Sequence, residues 1–513
     1  MQHRALIRGL WFWVPVILAL TWVARCAHAV EAELVDTPRA TPLNTSATNL
    51  PFLAAARAEQ PVALDAAGYV ESEYVVNGLA NIYDWTTTAR ATRLSVNATA
   101  VPYATRILVR RPADAQKFSG VVIVELLDAE GRYDSAPLWG LSWQQFTRRG
   151  DAWVGVTVTP TAIAALRKFD PVRYGKLGFN YKQPADCRVE GQDPHADPPD
   201  TESGLAWDAI AQIGALLRSG SKENPLLDLN PRRVIAAGYG EAGAYITTYA
   251  NALHGALRLG DGAPIFDGYL SAAGAQISVP INHCVPPLPV DDPRRGAMPR
   301  DVPFVTVMTE SDFNLAPSLR RADSDAPEDV FRLYEIPGAA HAGPFPAGMP
   351  TAKDLQIAGV VPPAADLCTD APGDYPAGLA FNAIWDQYIQ FLDGGAAMVS
   401  LSRIETLADG GPRHDEMGNA SGGWRLPQIE VPLAVYAGHS LPRHAGAQAA
   451  AECAMTGSRL PFDAARLKRL YRDRTHYLHR FRAAAELAVQ ERRLTPEDGA
   501  ALDKTRTQDL PRF

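Results

Sequence analysis

Residues 233–249 read Arg-Val-Ile-Ala-Ala-Gly-Tyr-Gly-Glu-Ala-Gly-Ala-Tyr-Ile-Thr-Thr-Tyr. A β-branched run, a tight glycine-rich turn and a helical stretch follow one another. Such a turn can lift one residue onto a strained, exposed apex, as G-x-S-x-G does for a serine nucleophile. The residues two before and two after the apex must be small. An apex at Glu241 puts Tyr239 in a small position, and an apex at Tyr239 puts Glu241 there. Only Gly240, between Gly238 and Ala242, satisfies both sides, and it has no side chain. The nucleophile position is therefore read as vacant. Taken alone, the segment also reads as a plain strand-to-helix turn.

The partners of such a nucleophile follow in the expected order, acid and then histidine. The run Val302 to Thr309 ends in Glu310-Ser311-Asp312, and Phe331 to Ile336 ends in Pro337-Gly-Ala-Ala-His341. An acid orients the imidazole and stabilises the imidazolium formed during proton transfer. Glu310, directly after its strand, is the first candidate and Asp312 the second. An oxyanion site would use the Glu241 N–H and a second backbone donor near Leu127 or Asp128. The carboxylates of Glu241 and Asp128 would oppose an oxyanion if they pointed inward.

These residues need a scaffold that delivers strand ends to one place. Short apolar runs at Phe118–Leu127, Trp153–Val158, Arg233–Ala237, Phe266–Leu270, Phe304–Met308 and Phe331–Ile336 alternate with helical stretches, including Leu138–Arg149, Thr201–Arg218 and Gly243–Leu253. That order predicts the α/β class, with a mostly parallel central sheet and helices on both faces. Tyr69–Tyr83 and Arg90–Val109 alternate as half-buried strands do. A largely helical C-terminal extension, about 376–513, includes Leu379–Leu392 and Leu467–Gln490. Residues 30–61 read as an extended lead-in, and 62–513 as one domain.

Residues 1–29 have a basic start, an apolar stretch from Trp11 to Val23 and an Ala27-His-Ala29 exit. That is the pattern of a cleaved secretory signal, and the apolar stretch falls short of the ~20 residues of a spanning helix. The mature chain is expected in the periplasm or outside the cell, with no membrane span. Net charge is −8 over 513 residues, which excludes the basic footprint of a nucleic-acid binder. Cys187, Cys284, Cys368 and Cys453 could form two disulfides in an oxidising compartment, with three pairings open. No cofactor or metal is expected, and His414-Asp415-Glu416 reads as a solvated loop. Oligomeric state has no signature in the sequence.

The chain resembles the large exported "alpha/beta hydrolase domain" proteins of bacteria, a family related to esterases, from about Gly68 to the C-terminus. Val121-Val-Ile-Val-Glu-Leu-Leu127, Asp134-Ser-Ala-Pro137, Gly150-Asp-Ala-Trp-Val-Gly-Val156, the 233–251 segment, Thr309-Glu310, Tyr334-Glu-Ile-Pro-Gly-Ala-Ala-His341 and Gly418-Asn-Ala-Ser-Gly-Gly-Trp-Arg-Leu-Pro427 carry the likeness. The resemblance implies an α/β-hydrolase fold and ester-hydrolase ancestry. Family members show G-x-S-Q-S at the turn and E-W-L-N after the third strand. This chain has Gly238-Tyr-Gly-Glu-Ala242 and Glu125-Leu-Leu-Asp128. Three functions follow as alternatives. The first is a degenerate hydrolase that binds a small-molecule ester, an apolar ligand or a partner. The second is an active hydrolase using water activated by His341 and Glu310. The third is a structural envelope protein.

Overall fold

The computed structural model describes residues 33–46, 48–86, 93–184, 187, 197–275, 277–313, 319–361 and 366–506. The signal-like segment lies outside the described residues. Ten strands form one sheet: β1 (Arg39–Leu43), β2 (Tyr69–Trp85), β3 (Leu94–Pro112), β4 (Val121–Leu126), β5 (Ala152–Val156), β6 (Arg233–Tyr239), β7 (Gly268–Ala272), β8 (Arg300–Thr309), β9 (Ser324–Ala326) and β10 (Asp329–Ile336). Their spatial order is β9-β10-β8-β7-β6-β4-β5-β3-β2-β1. The six strands from β10 to β5 are mutually parallel, whereas β1, β2, β3 and β9 pair antiparallel with their neighbours.

The central strands are apolar because they are covered on both sides. Every residue of β4, β5 and β7 is buried. Between the strands run α1 (Pro137–Arg149), α2 (Ala206–Arg218) and α3 (Glu241–Ala252), and the tail adds α4 (Ala377–Leu392). The chain moves from β4 to β5 in one direction across the sheet, and from β5 to β6 and β7 in the other. Right-handed crossovers then place α1 on one face and α2 with α3 on the opposite face. The contacts agree: Phe146 of α1 meets Trp385 of α4 edge-on at 5.6 Å, and Trp207 of α2 meets Tyr245 of α3 at 5.1 Å.

The structure departs from the sequence reading in three places. Residues 33–61 are no lead-in: β1 completes one sheet edge, and Phe52, Leu53 and Ala54 are buried in the core. The expected helix 467–490 is two helices, α5 (Ala464–Tyr471) and α6 (Arg474–Gln490). They separate because Arg472 takes a positive φ and Asp473 caps α6 by accepting from the His476 N–H. The helix expected from Thr201 starts at Ala206, after a short 3-10 turn at Ser203–Leu205.

Of the three disulfide pairings, the structure contains Cys187–Cys284 and Cys368–Cys453. Among the described residues no helix is long and apolar enough to cross a membrane.

Candidate active site

At the end of β6 the chain turns into α3 through Gly240, whose φ of 57° and ψ of −127° lie outside the regions open to most L-residues. Gly238, two residues before it, is small of necessity. A Cβ on Gly238 would stand 2.3 Å from the Ala242 carbonyl oxygen, a backbone atom that cannot step aside. The turn therefore has the shape of a nucleophile elbow with Gly240 at its apex.

Two loops converge on this apex. The first follows β4 and is closed at its neck by paired backbone bonds, Asp128 N–H to Ser135 O and Ser135 N–H to Asp128 O, both 2.9 Å. Its far end is anchored below by Asp134, whose Oδ2 accepts from Arg106 Nη2 at 2.9 Å and Thr157 Oγ1 at 2.6 Å. Arg106 is fully buried and also donates to Glu73, so its charge is compensated twice. Glu125, in the strand before the loop, accepts from Leu138 N–H, Trp139 N–H and Trp153 Nε1–H. It fastens the N-terminus of α1, and burial pushes its pKa up to about 7.

This closed loop delivers two carboxylates to the apex. Asp128 Oδ1 accepts from the Glu241 N–H at 3.0 Å, the first expected oxyanion donor. Asp128 is buried, and its pKa is pushed up to about 7 by burial first and the Glu130 charge second. Glu130 Oε2 lies 2.9 Å from His341 Nε2. A Cβ built on Gly240 would sit 2.8 Å from Asp128 Oδ1 and 3.1 Å from Glu130 Oε2. The space a nucleophile's side chain would occupy therefore holds these carboxylates.

The second oxyanion donor expected near Leu127 or Asp128 is not there. The Leu127 N–H donates to Val156 O, extending the β4–β5 ladder, and the Asp128 N–H closes the loop neck. Both amides are engaged by the tight geometry that carries Asp128 inward.

The second loop follows β10 and carries His341. Its Nδ1 lies 3.0 Å from Asp312 Oδ1, and Asp312 is also bound by the Thr309 hydroxyl. The His341 backbone N–H donates to Ser311 Oγ, and its carbonyl accepts from the Tyr239 hydroxyl at 2.8 Å. Burial lowers the imidazole pKa, but Asp312 and then Glu130 reverse this and hold it well above 6.5. The ring lies between two acidic side chains, one at each nitrogen.

Glu310, the first-choice acid, is not beside His341. Its N–H continues the sheet toward Ala339 O, which turns its side chain onto the backbone N–H groups of Gly338 at 2.7 Å and Gly438 at 3.1 Å. Glu310 thus fastens loops together, while Asp312, two residues later, meets the imidazole. The Thr309-x-x-Asp312 spacing was the available clue, since a threonine side chain can bind an acid one turn onward. Sequence reasoning missed Glu130 altogether. Its signal was the Asp128-x-Glu130 pair directly after the strand that feeds the oxyanion loop.

A cavity of about 10 Å³, room for one water, lies against Tyr239, Phe345, Tyr375 and Phe381. Among the described residues no group of three His, Cys, Asp or Glu side chains is arranged to hold a metal ion.

A family model described as "Alpha/beta hydrolase domain" matches residues 39–504. The fold is similar to solved structures at low sequence identity. An acetyl xylan esterase from Paenibacillus sp. R4 is 11% identical, with 58% of this chain and 83% of that chain covered and a TM-score of 0.29. Fungal esterases from Rhizomucor miehei are 11% identical, with 57% and 83% covered and a TM-score of 0.28. A dienelactone hydrolase from Anabaena variabilis is 13% identical, with 50% and 90% covered and a TM-score of 0.25. A search of the curated proteins finds no match.

Proposed function

This chain belongs to the alpha/beta hydrolase domain family, and on that premise we propose that it is an exported, esterase-derived protein that has lost the covalent acyl-enzyme step. It holds a small-molecule ester or an apolar ligand at a hydrolase site without acylating a serine. One observation carries this reading: Gly240 stands at the elbow, and Asp128 and Glu130 occupy the space of the missing side chain. The Glu241 N–H, which an esterase would direct at a developing oxyanion, is engaged by the Asp128 carboxylate. Asp312 and then Glu130 raise the His341 pKa well above its ordinary value, which disfavours the neutral imidazole that would activate a serine. Export rests on the basic, apolar and Ala27-His-Ala29 pattern of the first 29 residues.

A fluorophosphonate probe tests the central claim. The purified wild type is expected to remain unlabelled and to show no acylation burst with p-nitrophenyl butyrate. Stoichiometric labelling of a serine, or a burst, overturns it. N-terminal sequencing of the mature protein tests export, with a start after Ala29 expected.

A further inference from the structure

The apex that lacks a nucleophile still carries an ordered acid–base pair. Asp312, His341 and Glu130 form one line, with 3.0 Å from carboxylate to Nδ1 and 2.9 Å from Nε2 to carboxylate. Asp312 is buried, but the Glu130 side chain is 45% exposed. Water and a substrate can therefore reach the outer end of the line while its inner end is fixed. Glu130 is also held in place, since its loop is closed at the neck and anchored through Asp134 to Arg106.

We propose that Glu130 is a catalytic base for direct, non-covalent ester hydrolysis, with His341 as the acid for the leaving oxygen and Asp312 orienting His341. This goes beyond the reading above and rests on it in one respect, that no nucleophile at position 240 competes. In the first step Glu130 takes a proton from water. The water oxygen bonds to the ester carbonyl carbon, giving a tetrahedral intermediate. That intermediate collapses by breaking the carbon–alkoxy bond, and the leaving oxygen takes the Nε2 proton of His341. The proton on Glu130 then passes to Nε2 across their direct contact, and both groups return to their starting states. Ester and water are consumed, and acid and alcohol are formed.

Asp128 is the poorer base. It is buried, its Oδ1 accepts from the Glu241 N–H, and its Oδ2 lies 3.4 Å from the Ser135 hydroxyl. It bears instead on substrate choice. With Asp128 and Glu130 at the apex, an ester carrying a carboxylate is repelled, so the substrate class is an uncharged or cationic carboxylic ester.

The test is hydrolysis of ethyl acetate, whose alkoxide leaving group needs a proton, followed by acid release for the full chain and for Glu130→Gln and His341→Ala, with circular dichroism to check folding. Wild-type hydrolysis is expected to exceed that of His341→Ala, and Glu130→Gln is expected to lower kcat/KM by about 10²- to 10⁴-fold. In oxygen-18 water under single turnover, label should enter acetate and not the peptide containing Glu130. The proposal is overturned if wild type is no faster than His341→Ala, if Glu130→Gln matches wild type, or if the Glu130 carboxylate acquires label, which marks covalent attack. Probe labelling of a serine sinks the loss-of-acylation reading; these rates and isotope positions judge Glu130 separately.

Discussion

Glu130 Oε2 and His341 Nε2 lie 2.9 Å apart although 211 residues separate them in the chain. The contact gives His341 an acidic side chain at each ring nitrogen. In an NMR titration its imidazole should remain protonated well above pH 6.5, and either Asp312→Asn or Glu130→Gln should lower its pKa. The folded pKa is raised, so the stabilisation is fully present below the unfolded value near 6.5 and is lost as pH rises through the folded pKa. A His341 resonance titrating at or below 6.5 contradicts the arrangement.

Asp128 responds to pH over a lower window. Its carboxyl is pushed from 3.8 up to about 7 by burial and Glu130, so between those values the folded state binds a proton that the unfolded state has released. Its contribution to stability therefore falls as pH rises from about 4 to 7. Asp128→Asn should flatten that part of the profile and should gain on wild type toward the alkaline side. Urea unfolding across that range measures it, and parallel profiles would count against the assignment.

Gly240→Ser should not create a reactive serine by itself. The new side chain enters a backbone with φ of 57° and starts within 3.1 Å of two carboxylates. A cost of about 1–3 kcal/mol is expected from the backbone strain. Combining it with Asp128→Ala and Glu130→Ala removes the acceptor on the Glu241 N–H and clears the apex. Fluorophosphonate labelling should appear in that triple variant and be weak or absent in the single one. Strong labelling of the single variant would mean that the carboxylates do not obstruct the elbow.

The two acids after β8 should separate by readout. Glu310→Gln weakens charged hydrogen bonds to Gly338 and Gly438 and should cost about 2 kcal/mol of stability, with little change in the His341 titration. Asp312→Asn should shift that titration strongly. If the Glu310 variant moved the imidazole pKa as far, the division of labour drawn from the geometry would fail.

Much of the scaffold was legible because burial leaves a composition record. The β4 run Val121-Val-Ile-Val reads as a strand covered on both faces, and Gly238 and Ala242 betray the steric demand of the turn. The order of turn, acid loop and histidine loop was legible for the same reason. The choice between Glu310 and Asp312 was not. It depends on where the β8 ladder stops: the Glu310 N–H still bonds to Ala339, whereas the Asp312 N–H closes a turn back to Thr309. Glu130 was hidden because loop closure, not periodicity, sets its direction. Residues 33–61 were misread because a five-residue edge strand leaves too little pattern in an Ala- and Pro-rich segment.

The Gly438 N–H that Glu310 accepts lies 128 residues downstream. A ribosome releases the chain from its N-terminus, so the acid loop emerges long before the amide that pins it. Until that distal stretch arrives, Glu310 lacks half of its backbone partners and the adjoining loops are only partly braced. Fragments truncated before residue 438 would carry the side chains around His341 without this brace.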